Sequence, residues 1–195
     1  MQRPYLLAST RNAVATIAVS SLRQHAHAPS LKITDPAVRA LTDFQHEPPL
    51  TVTEDAALEQ VLDEMFRLGV RAFLVVREHV VTGLITAEHA ERAKRGGARG
   101  AGLDGAGAPR ELRVADVMTP VGNVPAVDWQ TIEEALVRDL VEIFEGSGAV
   151  HLVVLENETA GRSSVRGLIH RARLERQLGS HWAARSVTQK PVIND

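Results

Sequence analysis

The chain of 195 residues contains no cysteine, and this absence removes several kinds of chemistry at once. Without thiols there are no disulfides, no thiolate metal site and no cysteine nucleophile. A large excess of charge of one sign is also absent, since the formal net charge is only −2. A nearly neutral chain does not favour a polyanion partner, so we expect no binding to nucleic acid.

Long hydrophobic runs are absent as well. No apolar stretch approaches the ~20 residues needed to span a bilayer. A secretion signal needs a continuous apolar centre of at least ~7 residues, and Thr16 interrupts the one candidate, residues 13–19. We therefore expect a cytoplasmic protein that does not enter a membrane.

Motifs of common catalytic and metal sites are missing too. The chain has no Gly-x-Ser-x-Gly elbow and no phosphate loop ending in Gly-Lys-Ser/Thr. His25 and His27 supply only two of the ligands that a zinc site needs. A group of acidic residues fits a solvated helix face better than paired catalytic carboxylates: Glu54, Asp55, Glu59, Asp63 and Glu64. The sequence thus predicts a protein without catalysis and without a metal.

What the sequence does contain is a pattern that occurs twice. Each half has a short leading segment (Leu41-Thr42 and Met118-Thr119), a proline-bearing bend and a helix pattern. A β-branched strand, a polar turn, a second strand with Gly-Leu-Ile and a closing helix follow. Each unit is therefore predicted as β-α-β-β-α. A unit of about 55–60 residues buries little surface alone, so we expect an α/β (α+β) fold of two units packed as a pseudo-symmetric pair.

The helix predictions come from the apolar periodicity. Residues 58–66 place apolar side chains at i, i+3, i+4, i+7 and i+8, and residues 132–143 repeat the pattern. Thr53 and Asp128 are candidate caps, and glycines near 69 and 146–148 are candidate ends.

The strand predictions come from apolar runs. Residues 72–76 and 150–155 are nearly continuous apolar segments, which is typical of strands covered on both faces. His151 interrupts the second run, and a buried, hydrogen-bonded histidine explains it better than a ligand does. "REHV" predicts a tight turn between strands, and "ENETAGRSSV" predicts the same connection in a longer form.

Five segments follow from this interpretation: an N-terminal extension (1–33), a first unit (34–94), a glycine-rich linker (95–111), a second unit (112–179) and a polar C-terminal tail (180–195). The linker contains the run "RGGARGAGLDGAGAPRE", whose glycines favour a flexible connection.

The duplicated motifs resemble a tandem pair of CBS (cystathionine-β-synthase-type) domains over about residues 36–179. The likeness rests on "ALTDF" and "ADVMTP" before the units, and on "GVRAFLVV…VVTGLIT" and "SGAVHLVV…VRGLIH" within them. It implies units packed through their sheets and a homodimer. It also implies a cleft that binds AMP, ADP, ATP or S-adenosylmethionine as a regulatory ligand. No cofactor is required, and an unidentified regulated protein is expected as a further partner.

The ligand signature of that family is a glycine, two residues, a threonine or serine, two residues and an aspartate. The resemblance therefore assigns the positions of Gly83, Thr86 and His89 in the first unit, and of Gly167, His170 and Arg173 in the second. Both units lack the acid, and the second also lacks the hydroxyl.

Two interpretations of these residues stay open. Thr86 is either a ligand contact or a helix cap. Gly83 and Gly167 are interpreted as glycines that the backbone conformation requires rather than as ligand contacts. His170, Arg171, Arg173 and Arg176 on the second closing helix form either an anion site or a solvated basic face, and the same two interpretations apply to Arg71. The functional hypotheses differ accordingly: a regulatory module that senses an adenine nucleotide or a related anion, or a ligand-free platform for dimerisation and protein docking.

Overall fold

A computed structural model of the chain describes residues 5–7, 30–95, 111–157, 163–179 and 182. His25 and His27, nearly all of the predicted linker and nearly all of the predicted tail lie outside the described residues. The boundaries of the five segments therefore stay a prediction.

The described strands and helices occur in the following chain order. They are β1 (Tyr5–Leu7), a 3-10 turn (Ala37–Ala40), β2 (Thr42–Asp43), β3 (Thr51–Thr53), α1 (Leu58–Leu68), β4 (Ala72–Arg77), β5 (Val80–Thr86), α2 (Ala87–Arg95), α3 (Val114–Val117), β6 (Thr119–Pro120), a 3-10 turn (Val121–Asn123), β7 (Ala126–Asp128), α4 (Trp129–Glu134), α5 (Val137–Ser147), β8 (His151–Asn157), β9 (Ser163–His170) and α6 (Arg171–Leu178).

The strands show the predicted duplication. In the first unit β3 runs parallel to β4, which pairs antiparallel with β5. In the second, β7 runs parallel to β8, which pairs antiparallel with β9. The backbone of β1 lies between β5 and β9 and joins the two halves into one strand order, β3-β4-β5-β1-β9-β8-β7. The α+β fold of two β-α-β-β-α units is confirmed.

Each unit borrows a strand from the segment that precedes the other unit. We call residues 31–43 the first lead segment and residues 112–120 the second. Strand β2 of the first lead segment pairs with β9 of the second unit. Strand β6 of the second lead segment pairs with β5 of the first unit. The exchange is reciprocal, so the two units interlock through their lead segments.

The apolar cores follow the same exchange. Val114 of the second lead segment is buried in the core of the first unit, together with Leu58 and Met65. Leu31 and Leu41 of the first lead segment are buried in the core of the second unit. A third cluster draws apolar residues from the strands of both units and from the loops beside them: Phe44, Leu74, Val81, Leu84, Val124, Val153 and Val165. The predicted sheet-to-sheet contact is therefore present.

Gly83 and Gly167 are needed where the borrowed strands approach. A Cβ on Gly83 would lie 2.7 Å from the carbonyl oxygen of Thr119. A Cβ on Gly167 would lie 2.4 Å from the carbonyl oxygen of Thr42 and 2.6 Å from Leu41 Cδ1. Real Cβ contacts are longer than this, so the backbone requirement explains why Gly-Leu-Ile occurs in both units.

Several local predictions are confirmed. The hairpin between β4 and β5 is a two-residue turn in which Glu78 and His79 have φ values of 49° and 68°. Both central residues at positive φ are typical of the tight turns that match strand twist. Helices α1 and α5 end at Gly69 and Gly148, both in the left-handed conformation.

Two helix predictions are wrong. Phe66 was predicted on the buried face of α1, but it is 90% exposed. Consecutive residues of an α-helix are about 100° apart around its axis, so Phe66 lies on a different face from its buried neighbour Met65. The predicted continuous helix from Ile132 to Ile143 is divided into α4 and α5. The backbone at Ala135 is extended, and its carbonyl accepts the N–H of Ala37 in the first lead segment.

The two candidate caps do not cap. Ala57 rather than Thr53 precedes α1, and no side chain there accepts a helix N–H. Asp128 directly precedes α4, but its Oδ1 accepts the amide of Asn157 instead, at 3.2 Å.

Candidate functional site

Each unit places a polar side chain where its second strand turns into its closing helix. Thr86 ends β5, is buried, and its Oγ1 accepts the N–H of His89 at 3.2 Å. His170 ends β9, and its Nδ1 accepts the N–H of Ala172 at 3.0 Å. Thr86 is thus confirmed as a cap of α2, and His170 does the same for α6.

The next signature position contacts the other unit's lead segment. In the first unit His89 Nδ1 lies 3.3 Å from Thr119 Oγ1, on strand β6. In the second unit Arg173 Nη1 donates to Thr42 Oγ1 at 2.6 Å, on strand β2. The two contacts are equivalent under the pseudo-symmetry, although the residue types differ. Both positions therefore tie a closing helix to a borrowed strand.

An open cleft of about 470 Å³ lies between α2 and the second lead segment. Helix α2 contributes His89, Arg92 and Ala93, and the lead segment contributes residues 116–120. Of the predicted site residues His89 lines this cleft. Sequence reasoning missed Arg92 and Thr119 as lining residues, although "ADVMTP" had marked the segment that carries Thr119.

A second group of polar residues gathers around the ring of His170. His151 and His170 are paired in register on β8 and β9, and their ring centroids are 4.3 Å apart in a T-shaped arrangement. His151 is 5% exposed, which confirms its predicted burial. No hydrogen-bond partner for its Nε2 lies among the described residues, contrary to the expected hydrogen-bonded histidine. A buried polar atom without a partner costs about 1–3 kcal/mol.

Charges from both units act on this pair. Burial lowers the pKa of His151 to about 3, and the charges of His170 and His89 add to the effect. Burial also lowers the pKa of His170, and Arg176 and Arg71 reinforce the shift. Both imidazoles of the pair are consequently neutral at pH 7. We call these residues the basic cluster: Arg71, His89, His151, His170 and Arg176.

The structure thus brings together only some of the predicted site residues. Arg71 and His89 from the first unit join His170 from the second in the basic cluster. Arg71 also lies beside the start of α2, because its carbonyl accepts the N–H of Ala87 at 2.9 Å. Arg173 donates a hydrogen bond to Thr42 instead. Gly83 and Gly167 lie where the borrowed strands pair with β5 and β9.

Sequence reasoning did not select Arg166, which is buried at the junction of β9 and the first lead segment. Its guanidinium forms two hydrogen bonds to Asp43 at 2.9 and 3.0 Å and two to Glu156 at 3.1 and 3.2 Å. It also lies over the ring of Trp129, 4.1 Å from the centroid. Since both acids neutralise the guanidinium, this group holds the lead segment in place.

Neither a metal centre nor a membrane span is found in the part of the chain that the structure describes. No group of three or more histidine or acidic side chains there is arranged to hold a metal ion. No helix among the same residues has the length and hydrophobicity to cross a bilayer.

Comparison with known proteins agrees with this architecture. The family model of the CBS domain matches residues 41–95, which cover the first unit. No curated protein matches the chain significantly.

Three crystal structures of low sequence identity share the fold. A hemolysin-like protein containing a CBS domain, from Oenococcus oeni PSU, has a TM-score of 0.51 at 15% identity, with 75% of this chain and 93% of that chain covered. An uncharacterized conserved protein from Pyrococcus horikoshii has a TM-score of 0.50 at 13% identity, covering 85% and 100%. CBSX2 in complex with AMP has a TM-score of 0.50 at 15% identity, covering 80% and 99%.

Proposed function

We propose that this chain, a tandem CBS-domain protein, is a regulatory module that binds an adenine nucleotide or a related small anion between its two units. The observation that carries the proposal is the basic cluster, in which Arg71 of the first unit and Arg176 of the second both act on the pKa of His170, and His89 acts on that of His151. The fold is shared with CBSX2, whose crystal structure contains AMP.

The chemistry of the basic cluster suits a phosphate group. A guanidinium pairs with phosphate oxygens through two parallel hydrogen bonds and stays charged at all relevant pH values. Arg71 and Arg176 supply two such groups from opposite units. His89 supplies an imidazole that exchanges its contact with Thr119 for a ligand hydroxyl, in place of the acid in the family signature.

Regulation follows from where these residues sit. His89 and Arg173 connect closing helices to borrowed strands, so a ligand that competes for either contact changes how firmly the units interlock. Such a ligand has different affinities for the interlocked and loosened arrangements, which is the requirement for an allosteric response. A regulated protein would respond to that shift, and the role is non-catalytic.

Isothermal titration with AMP, ADP, ATP and S-adenosylmethionine tests the proposal directly. We expect at least one to bind, and to raise the unfolding free energy by about 2.7 kcal/mol at a concentration 100 times its Kd. The absence of both heat and thermal shift with all four compounds would contradict the proposal.

The matched variants are Arg71→Gln and Arg77→Gln. Arg71 precedes β4 and Arg77 ends it, where it pairs with Glu54, so the control lies about 20 Å away along the strand. Loss of a charged hydrogen bond costs about 1.5–3 kcal/mol. Arg71→Gln should therefore weaken nucleotide binding at least tenfold, and Arg77→Gln should leave it unchanged.

The alternative is a ligand-free platform for dimerisation or docking. Two observations favour it: Phe66 is 90% exposed on α1, and Arg173 is already satisfied by Thr42. This alternative predicts a dimer by light scattering whose melting temperature does not respond to any of the four compounds. A nucleotide-dependent melting temperature would reject it.

A further inference from the structure

His170 occupies the position that a bound anion would take at the start of α6. Its Nδ1 accepts the N–H of Ala172, a first-turn amide that has no acceptor within the helix. Free amides at a helix start are well suited to bind phosphate oxygens. Because Nδ1 is the acceptor, neutral His170 carries its proton on Nε2. The imidazole ring therefore occupies an anion-binding position, and its Nδ1 takes the place of the anion oxygen as the acceptor for the N–H of Ala172.

The surroundings of this ring favour its displacement by an anion. His151 packs against it with the ring centroids 4.3 Å apart, and its buried Nε2 has no hydrogen-bond partner in the part of the chain that the structure describes. The pair is thus not fully satisfied in the ligand-free protein. Other titratable groups act on the pair from three elements: His89 on α2, Arg71 before β4, and Arg176 with Glu175 on α6. Helix α4 also packs on β8, and its Glu133 and Glu134 are exposed.

We propose that ligand binding at the basic cluster is coupled to proton uptake by His170, an inference that rests on the function proposed above. A phosphate oxygen of the ligand accepts the N–H of Ala172, the imidazole leaves that amide, and its Nδ1 takes one proton from solvent. The resulting imidazolium carries N–H groups on both nitrogens and donates to the phosphate. One hydrogen bond is exchanged for another, and one positive charge is gained.

The direction of the pH effect follows from linkage. In the ligand-free protein His170 is neutral at pH 7, since burial and then the charges of Arg176 and Arg71 lower its pKa. An anion that neutralises these two arginines raises the pKa of His170. Affinity therefore rises as the pH falls through the pKa of the bound state, by up to tenfold per pH unit, and becomes constant below the pKa of the free state.

The test compares the full chain with His170→Asn and His79→Asn, and AMP is the probe. Asparagine is a good N-cap, so His170→Asn keeps an acceptor for Ala172 but cannot take up a proton. His79 lies in the β4–β5 turn at a φ of 68°, which asparagine tolerates. Titration in buffers of different ionisation enthalpy at pH 6.5 gives the number of protons bound with AMP.

We expect the wild type and His79→Asn to take up more protons with AMP than His170→Asn does. Their affinities should also rise more steeply between pH 7.5 and 6, by up to tenfold per unit. The phosphate of AMP itself titrates near pH 6, but equally in all three proteins, so the difference between them is the relevant quantity. Imidazole NMR of the wild type should show the pKa of His170 rise when AMP is added.

Two results would overturn the inference in distinguishable ways. If all three proteins bind AMP with equal proton uptake and the His170 resonances titrate identically with and without AMP, the coupling is refuted and the proposed function stands. If the wild type binds no AMP at pH 6 or at pH 7.5, AMP sensing fails, and the coupling fails with it.

Discussion

Substitution of Gly167 by alanine should damage the interlock between the two units more than any surface change. The added methyl would lie 2.4 Å from the carbonyl oxygen of Thr42 and 2.6 Å from Leu41 Cδ1. The carbonyl belongs to the backbone of β2, which pairs with β9 at this residue, so the clash is relieved only if the borrowed strand moves away. Overpacking of this kind costs about 1–3 kcal/mol, and more where backbone must shift.

Gly83→Ala and Gly146→Ala provide an internal scale. At Gly83 the methyl would lie 2.7 Å from the carbonyl oxygen of Thr119 and 2.9 Å from Met118 Sδ. The first clash is shorter at Gly167, and the thioether of Met118 moves easily, so Gly83→Ala should cost less than Gly167→Ala. Gly146 lies in α5, and no atom of the other described residues lies within 4 Å of the position that a Cβ would take. Alanine there should stabilise the protein by up to about 1 kcal/mol.

Urea unfolding, monitored by circular dichroism, measures the stability of all three alanine variants. The expected order of midpoints is Gly146→Ala above wild type, then Gly83→Ala, then Gly167→Ala. Size-exclusion chromatography separates a loosened interlock from global unfolding. A Gly167→Ala midpoint equal to that of the wild type would show that β2 is not held against β9, and the argument for exchanged lead segments would fail.

Two further predictions concern pH and stability. The pKa of Asp43 is lowered because hydrogen bonds from Arg166 and from the Gln45 backbone outweigh the effect of burial, which raises it. Its stabilisation is therefore present above the ordinary value of 3.8 and is lost as the pH falls through the lower folded value, so the stability difference between wild type and Asp43→Asn in urea should shrink below pH 4. The pKa of His151 is lowered to about 3 by burial and nearby imidazoles, so the wild type should lose about 1.4 kcal/mol per pH unit below pH 6.5. His151→Leu should remove that loss, and an equal acid sensitivity of the two proteins would show that His151 is not buried as described.

Local features of the fold were predictable because neighbouring residues determine them. The turn at Glu78 and His79, the cap by Thr86 and the buried runs of β4 and β8 depend on short-range geometry and periodicity. The exchange of lead segments depends on contacts between residues far apart in the chain, such as Thr42 with Leu168 and Leu84 with Thr119. No local pattern encodes such a pairing, and the first lead segment also contacts the break in the predicted helix, where the N–H of Ala37 donates to the carbonyl of Ala135.

The candidate site was predictable by position but not by arrangement. The family signature identified His89, His170 and Arg173, but no sequence feature indicated which lead segment each would contact. His170 replaces the threonine or serine hydroxyl of the family signature, and this replacement was interpreted as the loss of a ligand contact. The structure shows it accepting a helix N–H as Thr86 does, because an unprotonated imidazole nitrogen is a hydrogen-bond acceptor of the same kind.

The energies of the interlock fit the proposed regulatory role. The contacts of His89 with Thr119 and of Arg173 with Thr42 are single hydrogen bonds, worth about 0.5–1.5 kcal/mol for the first and about 1.5–3 kcal/mol for the second, whose donor is charged. A nucleotide bound with a micromolar Kd supplies about 8 kcal/mol, so it can displace either contact and still bind. Displacement of the His89 contact sets the coupling at about 1 kcal/mol, or roughly fivefold, and displacement of the Arg173 contact sets a larger one, both of them within the usual allosteric range. The buried core clusters, by contrast, remain intact, so the signal is a change in how the lead segments are held rather than unfolding of either unit.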